Sequence, residues 1–145
     1  MRKAVRAIVF HDNNLLVMHR NKFGNEYYAL IGGGIDFGES AENALRREIK
    51  EESNLDIDSP KLVFIEEAGD PFGTQYIYLC DYVGGDISLQ PNSEEAQINK
   101  MGKNLYEPLW LPIGELPNKP FMSPELKKAL IDGINKGFPD EPITI

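Results

Sequence analysis

The chain has 145 residues, 41% of them apolar, enough for one hydrophobic core without disulfide or metal staples. Fifteen Lys and Arg stand against 23 Asp and Glu, giving a formal charge of -8, which argues against binding a nucleic-acid polymer, where affinity comes largely from basic side chains on phosphates. No apolar run approaches the roughly 20 residues of a membrane-spanning helix, and Met1-Arg2-Lys3-Ala4 leads into an alternating segment rather than a secretory apolar block, so a cytoplasmic protein with no membrane partner is expected.

Arg2 to Phe10 alternates like a strand, and His11-Asp12-Asn13-Asn14 is a turn cluster before a second strand from Leu15 to Arg20, together a hairpin. Asn21 to Glu26 is polar and contains glycine, so a loop is expected, followed by a short apolar strand from Tyr27 to Ile31 that runs into the loop Gly32-Gly33-Gly34. Ser40 to Ser53 is the clearest helix, with Ser40 as N-cap, good helix formers along most of its length, and Asn54 able to take the left-handed closing conformation. Ser59-Pro60 reads as a turn. Two strands follow, Lys61 to Ala68 and Thr74 to Val83, joined by Gly69-Asp70-Pro71-Phe72-Gly73. Gly84-Gly85-Asp86 turns into a short strand from Ile87 to Leu89. Gln90 to Asn104 is polar and poorly patterned, hence a loop with at most a helical turn. Pro108 to Leu111 suits an edge strand. Pro124 to Lys136 is a second helix, capped by Ser123, with Leu126, Leu130 and Ile134 on one face. No internal repeat or linker interrupts this order, so residues 1–145 are expected to form one mixed α/β (α+β) domain.

The cysteine and histidine content narrows the chemistry. Cys80 is the sole cysteine and lies in the apolar run Tyr76-Ile77-Tyr78-Leu79-Cys80, as a buried thiol would. His11 and His19 are isolated, and no Cys/His zinc pattern exists. A bound metal would be held by oxygen, which points to Mg2+ or Mn2+.

On a helical wheel with Leu45 at zero, Ile49 falls near roughly +40° and Ala41 near -40°, defining the core side, while Glu52 falls near -20°, Glu48 near -60° and Glu51 near -120°. Glu42, Asn43, Arg46 and Lys50 form an ordinary solvated face. Three carboxylates thus share an arc with the apolar stripe. Burying unpaired charge is costly, and like charges three and four residues apart repel. Either the acids are a solvated patch, or something positive sits among them: the Arg47 guanidinium, or divalent cations.

The upstream sequence completes a pattern. Five residues separate Gly33 from Glu39, seven more lead to Arg47, and Arg47-Glu48-Ile49-Lys50-Glu51-Glu52-Ser53-Asn54-Leu55 follows. This resembles the Nudix box, in which a glycine, five residues, a glutamate, seven residues and an R-E-U-x-E-E-x-G-U run (U aliphatic) stand at that spacing. The one departure among fixed positions is Asn54 in place of the last glycine, a mild change because both tolerate positive φ. Ile31 also replaces a proline common before the glycines in relatives. The box spans Gly33 to Leu55, and the surrounding order of elements is similar to the family over most of the chain.

The resemblance implies the Nudix fold, a mixed sheet between helices, and a Mg2+-dependent hydrolase (Mn2+ a possible substitute) acting on the diphosphate linkage of a small nucleotide-type substrate. It implies that Glu51 and Glu52 ligate the metal and that Glu48 is a further ligand or the base that activates water. Arg47 would orient the glutamates, with Glu39 beside it, and the Gly32 backbone carbonyl would complete the metal shell. The physical logic agrees: divalent ions stabilise charge developing on diphosphate oxygens and acidify bound water, a carboxylate of raised pKa can take the proton, and glycines allow close backbone approach. Arg20, Gly33, Gly34 and Glu95 are candidate substrate contacts, with Lys22 near Arg20. Glu94, Glu95 and Glu107 are candidates for a carboxylate from outside the box. Tyr28, Phe37, Phe72, Tyr76, Tyr78, Tyr106 and Trp110 are candidate stacking surfaces. Pro71 is similar in position to a marker of ADP-ribose-cleaving members, although a Gly-Asp-Pro turn explains it structurally.

Two rival readings remain. Gly32-x-Gly34-x-x-x-Gly38 after a strand could be a dinucleotide loop, but a lone glycine pattern is weak, and that helix would carry Glu48 and Glu52 inward. A Nudix-fold regulator could bind a nucleotide without cutting it, yet it would not need the complete acid set. The choice among triphosphates, ADP-ribose, nucleotide sugars, dinucleoside polyphosphates and non-nucleotide diphosphates stays open, as does oligomeric state.

Overall fold

The computed structural model describes residues 2–89, 91 and 93–145; Met1, Gln90 and Asn92 lie outside the described residues, and with them the first residue of the expected loop. Strand β1 (Lys3–His11) turns through Asp12 and Asn13, with φ of 50° and 62°, into β2 (Asn14–Lys22). Two consecutive positive φ values are the geometry that matches strand twist in a two-residue hairpin. The expected loop at Asn21–Glu26 contracts to a similar turn at Phe23-Gly24, because β2 continues to Lys22 and β3 (Asn25–Ala29) pairs back against it. The apolar segment then breaks at Leu30, and the glycines are not a loop: β4 (Ile31–Gly34) runs antiparallel to β1, with Arg6 opposite Gly32 and Ala4 opposite Gly34.

Helix α1 (Ala41–Ser53) follows with the expected caps. Ser40 Oγ accepts from the Asn43 amide at 3.1 Å, and Asn54, at φ 65°, sends its own amide to the Lys50 carbonyl. Long strands β5 (Asp56–Glu67) and β6 (Thr74–Gly84) come next. The expected Ser59-Pro60 turn is absorbed into β5 as a register shift between Asp58 and Lys61, where Ser59 has a φ of 52°. Ile87–Leu89 is not a strand: Ile87 and Leu89 pack on the core beside α1, and the Ser88 amide bonds the Ser53 carbonyl. The stretch expected as a loop contains helix α2 (Glu94–Asn99), capped by Ser93. The Pro108–Leu111 edge strand is longer than expected, β7 (Asn104–Pro112), paired along β2. A 3-10 helix (Ile113–Asn118), helix α3 (Pro124–Lys136) and the two-residue strand β8 (Ile143–Thr144) complete the order.

The eight strands form one hydrogen-bonded network among the described residues. Its path is β3-β2-β1-β6-β5-β8, with β4 added to β1 and β7 to β2. The β1–β6 and β5–β8 pairs are parallel and the others antiparallel, so the sheet is mixed, and the fold is α+β. Alternation along β1 divides its two faces. Val5, Ala7 and Val9 join Leu45 and Ile49 of α1 in one core, while Ile8 joins Leu126 and Leu130 of α3 in the other. Burying a side chain such as Leu45 or Leu130 stabilises by about 1.5–3 kcal/mol. No helix is long and apolar enough to cross a membrane, among the described residues.

Gly133 shows how closely α3 closes the second core. A Cβ placed there would lie 2.3 Å from the Phe138 ring, which packs on Phe10 and Phe64. Gly133→Ala is therefore expected to destabilise by about 1–3 kcal/mol despite its better helix propensity, read as a lower midpoint in urea with an unchanged slope.

Candidate functional site

A cleft of about 820 Å³ opens on the α3 side of the sheet, within the range of small-molecule sites. Its walls come from β1 to β4, α1, the end of β5, β6, α2, β7 and the first turn of α3.

Glu48 and Glu52 stand one turn apart on α1 and both line it. Glu52 is only 6% exposed, and its Oε2 has no hydrogen-bond partner among the described residues. Burial pushes its carboxyl well above the usual range, and the Glu48 and Glu95 carboxylates push the same way against Arg6. Burial also raises Glu48, opposed by its hydrogen bond to Arg47. These acids reach the cleft because β4 has no side chains in their path. A Cβ on Gly33 would lie 2.6 Å from the Glu48 carboxyl carbon, and one on Gly32 would lie on the Val5 carbonyl at 1.9 Å. The glycines thus fit as a bare strand between β1 and α1.

Arg47 holds the acids in place. Its Nε and Nη2 donate to both oxygens of Glu39 at 2.8 and 2.9 Å, its Nη1 to Glu48 Oε1 at 2.8 Å, and its Nη2 also to the Gly34 carbonyl at 3.2 Å. Two charge-assisted bonds in a fork hold Glu39 tightly. The Arg47 bonds, followed by the Asp36 amide, lower the Glu39 pKa to about 2. Glu51 points elsewhere. It is 46% exposed, 3.5 Å from Arg47 Nη1, and not in the cleft wall. Among the described residues no three His, Cys, Asp or Glu side chains converge as a metal-ligand group; the two cleft-facing acids of the helix are Glu48 and Glu52.

The Gly32 carbonyl accepts from Arg6 Nη1 at 3.1 Å. Arg6 was visible in the sequence only as one residue of an alternating strand, yet it lines the cleft. Its Nε donates to Gln75 Oε1 at 3.0 Å, and Gln75 Nε2 donates to the Phe72 carbonyl at 2.7 Å. Burial lowers the Arg6 pKa, with Glu52 opposing. The signal available for Arg6 was a charged side chain in register with Ala4 and Ile8. Nothing comparable marked Arg2, Tyr27, Gln75 or Glu66, which also line the cleft.

Arg20, Lys22, Gly33, Gly34, Glu94 and Glu95 all reach the cleft wall. Arg20 stacks 3.6 Å from the Tyr106 ring centroid and donates to Tyr27 Oη at 3.2 Å and to the Leu105 carbonyl at 3.0 Å. Glu107 does not line the cleft; it pairs with His19 Nδ1 at 2.9 Å. Of the candidate aromatics, Phe72 and Tyr106 line the cleft. Tyr28 belongs to the α3-side core, Tyr76, Tyr78 and Trp110 pack on the α1-side core, and Phe37 is fully exposed. Cys80 is buried, which pushes its thiol up to about 12 and leaves it inert.

Comparison with known proteins gives a consistent result. The family model described as NUDIX domain matches residues 1–132. A protein of Edwardsiella ictaluri named NAD-capped RNA hydrolase NudC is 27% identical over 85% of this chain and 44% of its own length. An ADP-ribose pyrophosphatase of Methanocaldococcus jannaschii is 33% identical over 65% of this chain and 59% of its own. The chain therefore spans less than two thirds of these curated relatives. Among solved structures, an ADP-ribose pyrophosphatase from Streptococcus suis superposes with a TM-score of 0.69 at 21% identity, covering 99% of this chain and 98% of that one. A MutT NUDIX hydrolase from Burkholderia pseudomallei gives 0.57 at 20% identity, over 77% and 82%. At these identities the structural matches speak for the fold.

The raised carboxyls fix a pH dependence. In the unfolded chain Glu48 and Glu52 titrate near 4.5, and in the folded chain they titrate higher. Above about 4.5 the native state therefore holds the more protons, and its stability falls as pH climbs through the folded values. Glu39 has the opposite sign: its contribution is present above the unfolded value of 4.5 and lost as pH falls through about 2. Without divalent cations, wild type is thus expected to lose thermal stability relative to Glu52→Gln as pH rises above 4.5 through the range in which the folded carboxyl ionises. Parallel melting curves of the two proteins across that range would contradict it.

Proposed function

The chain belongs to the NUDIX domain family, and on that premise we propose that it is a hydrolase of the diphosphate linkage in a small nucleotide-type substrate, working with a divalent cation, Mg2+ or in its place Mn2+. One observation carries the reading: a buried carboxyl with an orphan oxygen, Glu52, and a partly buried one a turn away, Glu48, face a cleft that also holds Arg2, Arg6 and Arg20. Acids and arginines in one small space fit a substrate whose phosphates are joined to the acids through a cation.

The donor set fits such an ion. Glu52 Oε2 lacks a partner, Glu48 lies beside it, and all the donors are hard oxygens. In this reading Glu48, Glu51 and Glu52, with the Gly32 carbonyl, would hold the cation, Glu51 giving up its contact with Arg47. When bound, the cation supplies charge stabilisation at the diphosphate oxygens and an acidified water. Glu48, with its pKa raised by burial, suits acceptance of the water proton. Arg47 and Glu39 are positioning residues, since the fork between them fixes the guanidinium that holds Glu48. Bare backbone at Gly33 lets the Glu48 carboxylate stand against the strand, and Gly33 and Gly34 line the cleft as contacts for the substrate phosphates. Arg20, pinned by Tyr27 and Tyr106, presents a preorganised guanidinium to the phosphate chain. Glu95, from α2, adds a carboxylate close enough to perturb both Glu48 and Glu52. All these groups lie within one domain, residues 1–145, and the net charge of -8 suits a small substrate rather than a polymer.

Glu52→Gln keeps side-chain size but ligates cations poorly. Turnover of diphosphate substrates is expected to fall about a thousandfold, the loss of several kcal/mol of charge stabilisation, while the circular dichroism spectrum is unchanged. Glu42→Gln, on the solvated face, should keep wild-type turnover. Near-normal rates and metal dependence in Glu52→Gln would refute the assignment. Gly33→Ala should displace Glu48 and lower kcat by at least about tenfold; an unchanged kcat would mean that the Glu48 position seen here is not the working one.

A further inference from the structure

The Gly32 carbonyl, which the diphosphatase reading gives to the cation, already has a partner. Arg6 Nη1 donates to it at 3.1 Å and reaches the Leu30 carbonyl at 3.5 Å, so one nitrogen spans the backbone oxygens on either side of Ile31. Arg6 and Gly32 stand opposite each other in the β1–β4 pair, which sets the base of the side chain beside that carbonyl. The other edge of the guanidinium is tied down. Its Nε donates to Gln75 Oε1 at 3.0 Å, and Gln75 is held in turn by its bond to the Phe72 carbonyl. Glu52 is the strongest of the anions acting on Arg6, and Arg6 is the cation that acts on Glu52. Even so, Glu52 Oε2 takes no bond from it. The guanidinium thus stands at the atoms a divalent ion would use, without closing the carboxylate.

Resting on the reading in which Glu52 and the Gly32 carbonyl hold a divalent cation, we propose that Arg6 is a resident counter-cation that the ion displaces from that carbonyl. Without the ion, Nη1 occupies the Gly32 oxygen and the Arg6 charge offsets Glu52. With the ion, Nη1 gives up the oxygen while Gln75 keeps Nε. A carbonyl has a second lone pair, but a divalent ion on it would stand about 5 Å from the guanidinium, a repulsion that a half-buried site screens poorly. Only a guanidinium can bond Gln75 through Nε and Gly32 through Nη1 at once, so lysine would keep the charge and lose the tether. Arg6 is therefore a positioning residue that sets cation affinity. Its role differs from that of Arg47, which holds Glu48 and Glu39 and leaves the Gly32 carbonyl alone.

The test reads binding of the metal alone by the full chain, in alkaline buffer where protons compete little for the carboxylates. Arg6→Met removes the charge and the donors and keeps an apolar stem. By titration calorimetry it is expected to bind Mn2+ at least about tenfold tighter than wild type, whereas Arg6→Lys should stay within about threefold. Without metal, Arg6→Met should melt below wild type, and saturating Mn2+ should raise its melting temperature by more than that of wild type. A side chain that only packs would lower both melting temperatures alike. Wild type supplies a readout that requires no variant to fold. Mg2+ should speed rotation of the Arg6 guanidinium, followed by heteronuclear NMR, while the Nε–H signal held by Gln75 persists. Mn2+ affinity no tighter in a folded Arg6→Met, or guanidinium rotation unchanged at saturating Mg2+, overturns the proposal and leaves the diphosphatase reading intact. Wild type that binds neither ion overturns the cation reading itself, and this proposal with it.

Discussion

The site depends on one electrostatic constraint, the burial of two like charges one helical turn apart. Carboxylates at that separation of about 6 Å repel by roughly 3 kcal/mol at the effective dielectric of a partly buried site. Burial adds its own penalty, visible in the direction of both pKa shifts. A helix selected only for packing would carry an apolar residue at position 52, beside Leu45 and Ile49 on the buried face. The arrangement persists because cations surround it. Arg47 bonds Glu48, and Arg6 acts on Glu52 through space. Neither bonds the second oxygen of Glu52. What remains is a buried carboxyl with one unpartnered oxygen at a cleft wall, the physical signature of a site kept for a partner rather than for stability.

Strand pairing follows from that constraint. β1 lies at the centre of the network, joined to β2, β4 and β6. One of its faces builds the core under α1, while Arg6 on the other bonds the Gly32 carbonyl directly across the β1–β4 pair. The bare β4 strand closes the space between that arginine and the α1 acids. Larger residues are excluded by backbone at Gly32 and by the Glu48 carboxylate at Gly33. Neither requirement involves an unusual φ. The glycines are there for clearance, and their neighbours' functional groups occupy the volume that side chains would have taken.

What the sequence revealed follows the range of the interactions. α1, its caps and the inward arc of Glu48 and Glu52 were legible because helical periodicity and capping are local. α3 was legible for the same reason. The glycine strand was not, because glycine has low strand propensity and only the pairing with β1 keeps it extended. Ser59-Pro60 carries turn residues, but β5 absorbs them as a bulge because its flanking residues keep their partners on β6. α2 is too short, six residues, to show a period. Within the site, the box acids could be named from spacing. Glu51 shows the limit of that naming, since its exposed position and contact with Arg47 depend on the helix's rotation against the sheet. Arg6, Gln75 and Glu66 come together only through cross-strand register, and no local pattern encodes that.

Arg47 then explains how a rigid helix and a changing charge can coexist. It bonds Glu39, Glu48 and the Gly34 carbonyl and lies within ion-pair distance of Glu51 and Asp36. The fork to Glu39 is the anchor, for both Glu39 oxygens take Arg47 donors and the carboxyl is held low by them. The contacts to Glu48 and Glu51 are single and at the edge of the guanidinium. A positive charge arriving at Glu48 would compete with Arg47 for one oxygen while the Glu39 fork kept the guanidinium in place. The arginine would not have to be displaced, and no part of the helix would need to move. In the proposed reading, the stability of the site and its response to a cation are thus divided between two faces of one side chain: the Glu39 side fixes position, and the Glu48 side yields.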